Sequence, residues 1–124
     1  MMSHDELHSR ALDYLVNHLN LIGEDPEGVH WIVREPVWQK NGSVARYALC
    51  DLIIGFYDKH LVVAELKASR DRKNEARHQL NQGEAFSRFV LAYTTRVVQK
   101  KFVVYREGVS SVHPFIYHSE LIWR

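Results

Sequence analysis

The sequence predicts an α/β domain in which a central mixed sheet is flanked by helices on both faces, and three observations predict it. The strand-like segments from Ala45 to Lys67 are apolar on both sides, so the sheet they form needs cover above and below. Amphipathic helical stripes lie before them, through Leu7, Ala11, Leu15 and Leu19, and after them, through Ala76, Leu80, Gly83 and Phe86. Each stripe supplies one apolar face for a core. Finally, 124 residues without repeat, low-complexity tract or linker suit a single domain spanning 1–124, which at that length buries roughly two thirds of its unfolded surface.

The elements follow in order. Ser3 is placed as an N-cap with Glu6 closing a capping box and Met2 against Leu7 as a staple, so a helix begins there and runs to about Asn20. Gly23 to Gly28 is dense in turn formers and acids and reads as a loop before a β-rich stretch from Val29 to Trp38. Asn41-Gly42 is a hairpin signal leading into an apolar strand from Ala45 to Tyr57. Asp58-Lys59 breaks it and His60 to Lys67 resumes it, giving three successive strands. A helix from Asp71 to about Phe86, strands at Phe89–Thr95 and Phe102–Tyr105, and a closing segment from Pro114 complete the chain.

Composition removes several function classes. The single cysteine, Cys50, excludes an intramolecular disulfide framework and any four-cysteine metal site. Polar His4, Asp5 and Glu6 stand where a signal peptide needs an apolar stretch, and no apolar run approaches the roughly 20 residues of a membrane span. A cytoplasmic protein without membrane association is the expectation. A net charge of +1 announces no nucleic-acid partner by itself, so that argument rests on local clustering.

The polar residues that interrupt the apolar strands carry the chemistry. Asp51 lies inside Ala48–Ile54, where an ionised carboxylate requires a cation or hydrogen-bond donors. Glu65 and Lys67 are two apart on the next strand and share a face. Whether they share it with Asp51 depends on the hairpin. A strict two-residue loop at Asp58-Lys59 pairs Asp51 with Leu66 and separates the acids, whereas an odd-length loop or a bulge unites them. Asp-Lys is a poor type I′ turn, so the odd register is expected. Gln79 falls within the apolar stripe of the second helix, where its amide needs a partner.

Asp51, thirteen intervening residues and Glu65-Leu66-Lys67 resemble the signature of the PD-(D/E)xK nucleases, a family that includes restriction enzymes, RecB-like nucleases and Holliday-junction resolvases. The order helix, three strands, helix, strand resembles its restriction-endonuclease-like αβββαβ core over most of the chain. Cys50 stands where the nominal proline would be. The resemblance implies a Mg²⁺- or Mn²⁺-dependent nuclease acting on nucleic acid, DNA rather than RNA, with Asp51, Glu65, Lys67 and Gln79 catalytic. It implies metal ligation by Asp51, Glu65 and the Leu66 backbone carbonyl, with Glu6 on the first helix a further candidate and Glu35 another. His78-Gln79-Leu80 is similar to the RecB-like motif, although the tyrosine four residues on is here Gly83. Hard divalent ions held by carboxylates suit phosphodiester hydrolysis because they activate water and neutralise phosphoryl charge, and a lysine can orient that water or stabilise the phosphoryl group.

A basic cluster, Arg70, Arg72, Lys73 and Arg77, follows Lys67 directly, with Lys100 and Lys101 extending it as candidate phosphate contacts. Small size favours recognition of DNA ends, shape or junctions, and a homodimer with two sites is the matching expectation. His4-Asp5-Glu6-Leu7-His8 is only superficially similar to a zinc-protease motif, since Asp5 stands where that motif has its glutamate. The competing reading is a non-catalytic nucleic-acid-binding accessory subunit that retains the fold.

Overall fold

A computed structural model describes residues 2–39, 46–48, 50–89 and 97–123, with backbone alone at 37–39, 46–48 and 89. The first helix, α1, spans His4–Val16. Ser3 caps it as expected, its Oγ accepting from the Glu6 N–H at 3.1 Å, a contact worth about 1 kcal/mol. It ends four residues before the position the sequence suggested, and Leu19–Ile22 continue as a 3-10 turn.

Strand β1 is Val29–Arg34, β2 Val37–Gln39, β3 Arg46–Ala48, β4 Leu52–Phe56 and β5 Leu61–Lys67. Helix α2, Lys73–Phe89, leads to β6, Val98–Glu107, and β7, Phe115–Leu121. The main sheet has the order β1-β4-β5-β6-β7, mixed because only β5 and β6 run parallel. Parallel neighbours need a crossover, and α2 provides it.

Two departures from the sequence reading concern strands. The apolar run from Ala45 to Tyr57 is not one strand: Arg46–Ala48 pairs with Val37–Gln39 as a separate two-stranded sheet, and the chain enters the main sheet only at Leu52. The expected Asn41-Gly42 turn lies outside the described residues. So does the expected strand at Phe89–Thr95 apart from Phe89, whose backbone ends α2.

Each face of the sheet carries its own core. On one, Ala11, Leu12 and Leu15 of α1 pack on Leu52, Ile54, Val62, Ala64, Leu66, Val103 and Tyr105. On the other, Ala76 and Leu80 of α2 pack on Ile53, Leu61, Val63 and Phe102. Strands β4 and β5 are buried along their whole length, which is why their sequences show no polar alternation.

Gly83 lets α2 lie close to the sheet. A Cβ there would stand 2.6 Å from Cys50 Sγ and 2.7 Å from Val63 Cγ1. Cys50 and Gly83 are therefore complementary halves of one contact. Among the described residues no helix is long and apolar enough to cross a membrane.

Candidate active site at the open end of the sheet

The hairpin between β4 and β5 decides the site. Leu52 pairs with Ala64 and Gly55 with Leu61, and Phe56 N–H donates to His60 C=O at 3.1 Å. The loop is thus Tyr57-Asp58-Lys59, three residues, with Lys59 at φ 75° as a three-residue hairpin ending in the left-handed region requires. Extending this odd register sets Asp51 opposite Glu65, so both acids and Lys67 address one cleft.

The ladder ends at Asp51, and its side chain replaces the next rung. Leu66 N–H, which would otherwise meet the backbone of residue 50, donates to Asp51 Oδ2 at 2.7 Å. The Asp51 backbone is held from both sides: its N–H reaches Ala64 C=O at 3.2 Å, and its carbonyl accepts from Glu35 N–H at 2.7 Å. Glu35 itself has φ 46°, a left-handed conformation that costs energy in a non-glycine residue, and it lines the cleft.

The cleft consists of two adjoining cavities of about 330 and 230 Å³ that share Asp5, His8, Asp51, Glu65 and Gln79 in their walls. Lys67, Arg72, Leu66 and Tyr105 line the smaller one. The ends of α1 and α2 therefore close on the same end of the sheet. Lys67 is 8 % exposed, its Nζ 3.3 Å from Glu65 Oε2 and 3.2 Å from Glu75 Oε1.

Buried charge dominates the electrostatics. Glu65 is 3 % exposed; its burial, then the neighbouring Asp51 carboxylate, push its pKa up to about 8 against the opposing pull of Lys67. His8 Nε2 lies 3.1 Å from Asp51 Oδ2. That hydrogen bond raises the pKa of His8 against the cost of burial, with help from the charges of Asp51 and Glu65 and from the Leu66 backbone. Burial and the same two acids push the Cys50 thiol up, which removes it as a nucleophile. Among the described residues, three buried polar atoms at the cleft find no hydrogen-bond partner: Glu65 Oε1, Gln79 Oε1 and the Tyr105 hydroxyl.

Asp51, Glu65, Lys67, Gln79 and Leu66 thus come together as the sequence suggested. Glu35 joins the wall, whereas Glu6 is exposed and lines neither cavity. From α1, Asp5 and His8 line both cavities. Glu6 N–H donates to the Ser3 N-cap instead.

The basic track is shorter than expected. Lys100 and Lys101 are both 9 % exposed. Lys100 Nζ donates to Asn81 Oδ1 at 3.0 Å and Glu84 Oε1 at 3.3 Å, while Lys101 pairs with Glu24 and donates to Ile22 C=O at 2.5 Å. Being adjacent on β6 they point to opposite faces, and each is buried there against a carboxylate, Glu84 for Lys100 and Glu24 for Lys101. Lys73 pairs with Glu120 at 2.5 Å and Arg72 with Glu75 at 2.7 Å. Arg70 and Arg77 are exposed.

Fold and site together define an α/β domain with an acid-rich cleft at one end of a mixed sheet. No protein-family model, curated protein or solved structure matches the chain.

Proposed function

We propose that this chain is a metal-dependent nuclease of the restriction-endonuclease-like class, hydrolysing phosphodiester bonds of DNA with Mg²⁺ or Mn²⁺. The observation that carries the reading is the pair of buried acceptor oxygens, Glu65 Oε1 and Gln79 Oε1, which find no donor among the described residues beside Asp51. Buried acceptors in a native fold are ordinarily satisfied, and a set of carboxylate and amide oxygens suits a hard cation. Among the described residues no group of three or more His, Cys, Asp or Glu side chains forms a ligand cluster. Mg²⁺ commonly takes one or two carboxylates and completes its shell with waters and substrate phosphate.

Asp51 and Glu65 would hold the ion. Leu66 turns its N–H toward Asp51, and a strand residue directs N–H and C=O to the same neighbour, so its carbonyl faces the same space. The ion would supply a Lewis acid and an activated water. Lys67, fixed between Glu65 and Glu75, is placed to donate to an oxygen in the cleft. Gln79 is placed to fix a water or a ligand from the α2 side. Element order supports the class: α1, β1, β4, β5, α2 and β6 follow the αβββαβ sequence, with β2 and β3 as a side excursion.

The test is a Mg²⁺ cleavage panel of single-stranded, duplex, flapped and four-way DNA, with RNA, run on the wild type and Lys67→Ala. The expected result is cleavage of at least one DNA, reduced about 10²-fold or more by the substitution, with binding retained. Binding without metal-dependent cleavage would instead mark an accessory nucleic-acid-binding subunit. Absence of both, with no calorimetric signal for Mn²⁺, would leave a metal-free interaction domain.

A further inference from the structure

The carboxylate of Glu75 occupies an unusual position. It accepts from Arg72 Nε at 2.9 Å and from Arg72 Nη2 at 2.7 Å on each oxygen, and Oε1 also accepts from Lys67 Nζ at 3.2 Å. Two cations that line the same cavity therefore share one carboxylate from outside it, while Lys67 also meets Glu65 within. A salt bridge three residues apart at the start of a helix is common, and Glu in a first turn suits the helix dipole. Those facts account for the Arg72 contact alone. They do not account for the third contact, which crosses from α2 to an ammonium at the end of β5 that is 8 % exposed.

The geometry is that of an oxyanion site. A planar guanidinium gripping two oxygens in a fork, with an ammonium on one of them, is an arrangement that equally recognises phosphate. Glu75 is 49 % exposed and Arg72 43 %, so its side chain can swing into solvent without opening the core. Both charges stabilise the pairing: Arg72 first, then Lys67, holds the Glu75 carboxyl below its usual range.

We propose that Lys67 and Arg72 form a subsite for one phosphate of the nucleic-acid substrate, and that Glu75 stands in the place of that phosphate until substrate displaces it. This rests on the nuclease reading and adds a residue to it. Glu75 is a positioning residue here: it keeps Lys67 extended toward the cleft and screens the two cations against adventitious anions. Displacement exchanges one anion for another, so the subsite stays neutralised on binding and the lysine stays in place.

The experiment is equilibrium binding in EDTA, by fluorescence anisotropy of a 3′-labelled single-stranded oligonucleotide with and without a 5′-phosphate. Glu75→Gln should bind about threefold tighter than the wild type at low salt, the scale of exposed ion pairs. Its log Kd against log salt slope should steepen by about 0.7 for each cation released to phosphate. Glu27→Gln, an exposed carboxylate that lines neither cavity, should gain nothing. The gain should vanish in Lys67→Ala/Glu75→Gln. A larger gain on the 5′-phosphorylated strand would assign the subsite to a strand end, and an equal gain to an internal phosphodiester. Unchanged or weaker binding by a Glu75→Gln protein that melts like the wild type would overturn the proposal, as would an equal gain from Glu27→Gln. If neither protein binds any oligonucleotide, the nucleic-acid reading falls by itself. Titration with inorganic phosphate, followed by NMR at the Arg72 side chain, then tests the subsite: selective binding to Glu75→Gln supports it and its absence overturns it.

Discussion

The two ends of the sheet bury charge in opposite ways. At the end where β5 begins, Glu24, Lys101 and His60 form a closed set: Lys101 pairs with Glu24 and donates to Ile22 C=O, and His60 lies 3.5 Å from Glu24 and 2.6 Å from Asp58. Its buried Glu24 has two cationic or ionisable partners. At the end where β5 finishes, Asp51 and Glu65 face each other, and Glu65 Oε1 and Gln79 Oε1 have no donor among the described residues. The first arrangement is what folding alone favours. The second is costly to folding and survives where something other than stability maintains it.

Substitutions at the two ends should dissociate. Asp51→Asn keeps an acceptor for Leu66 N–H but removes a charge from the crowded pair, so its stability should stay within about 1 kcal/mol of the wild type, while Mg²⁺-dependent cleavage falls about 10²-fold or more. Lys101→Met leaves Glu24 buried without its ammonium and should cost about 3–5 kcal/mol in denaturant melts, with cleavage per folded molecule unchanged. A loss of cleavage by folded Lys101→Met, or a collapse in stability of Asp51→Asn, would break the contrast.

How much of this was legible follows from where each signal resides. Asp51, Glu65 and Lys67 are conspicuous because strands β4 and β5 are otherwise apolar, and Asp58-Lys59 revealed the register because a lysine is badly placed in a two-residue turn. Gln79 was visible as the one amide in an apolar stripe. His8 and Asp5 were not, since only the tertiary approach of α1 to the sheet end brings His8 within 3.1 Å of Asp51. The separate β2–β3 hairpin was hidden because no Gly or Pro marks the break at Cys50-Asp51. Lys100 and Lys101 read as surface cations because the partners that bury them, Glu84 and Glu24, come from distant elements on opposite faces.

A smaller effect probes how the open end is held together. Gly83→Ala places a methyl against Cys50 Sγ and Val63 Cγ1, at 2.6 and 2.7 Å before any adjustment. Overpacking of this kind costs about 1–3 kcal/mol. Since Gln79 lies one turn earlier on α2, cleavage should fall with stability, and Cys50→Ala in the same chain should restore part of both. Independent, additive losses in the double variant would mean that α2 does not meet the sheet through this contact.

The gentlest test reads the unsatisfied pair by pH, in EDTA. Burial raises Glu65 to about 8 from an ordinary glutamate value of about 4.3, so the folded state holds a proton that the unfolded chain has released across that interval. Stability from the neutral carboxyl is therefore complete below about pH 4.3 and is lost as pH rises through about 8, at a slope approaching 1.4 kcal/mol per pH unit for one proton, roughly, in mid-window. His8, also raised, adds loss of the same sign as pH climbs. Glu65→Gln mimics the protonated acid and removes the Glu65 share alone. Denaturant melts at pH 5.5, 6.5 and 7.5 should show the wild type losing ground to Glu65→Gln at each step. A constant gap between the wild type and Glu65→Gln would show that Glu65 is ionised throughout, and the contrast between the two ends would then have to rest on Gln79 and Tyr105 alone.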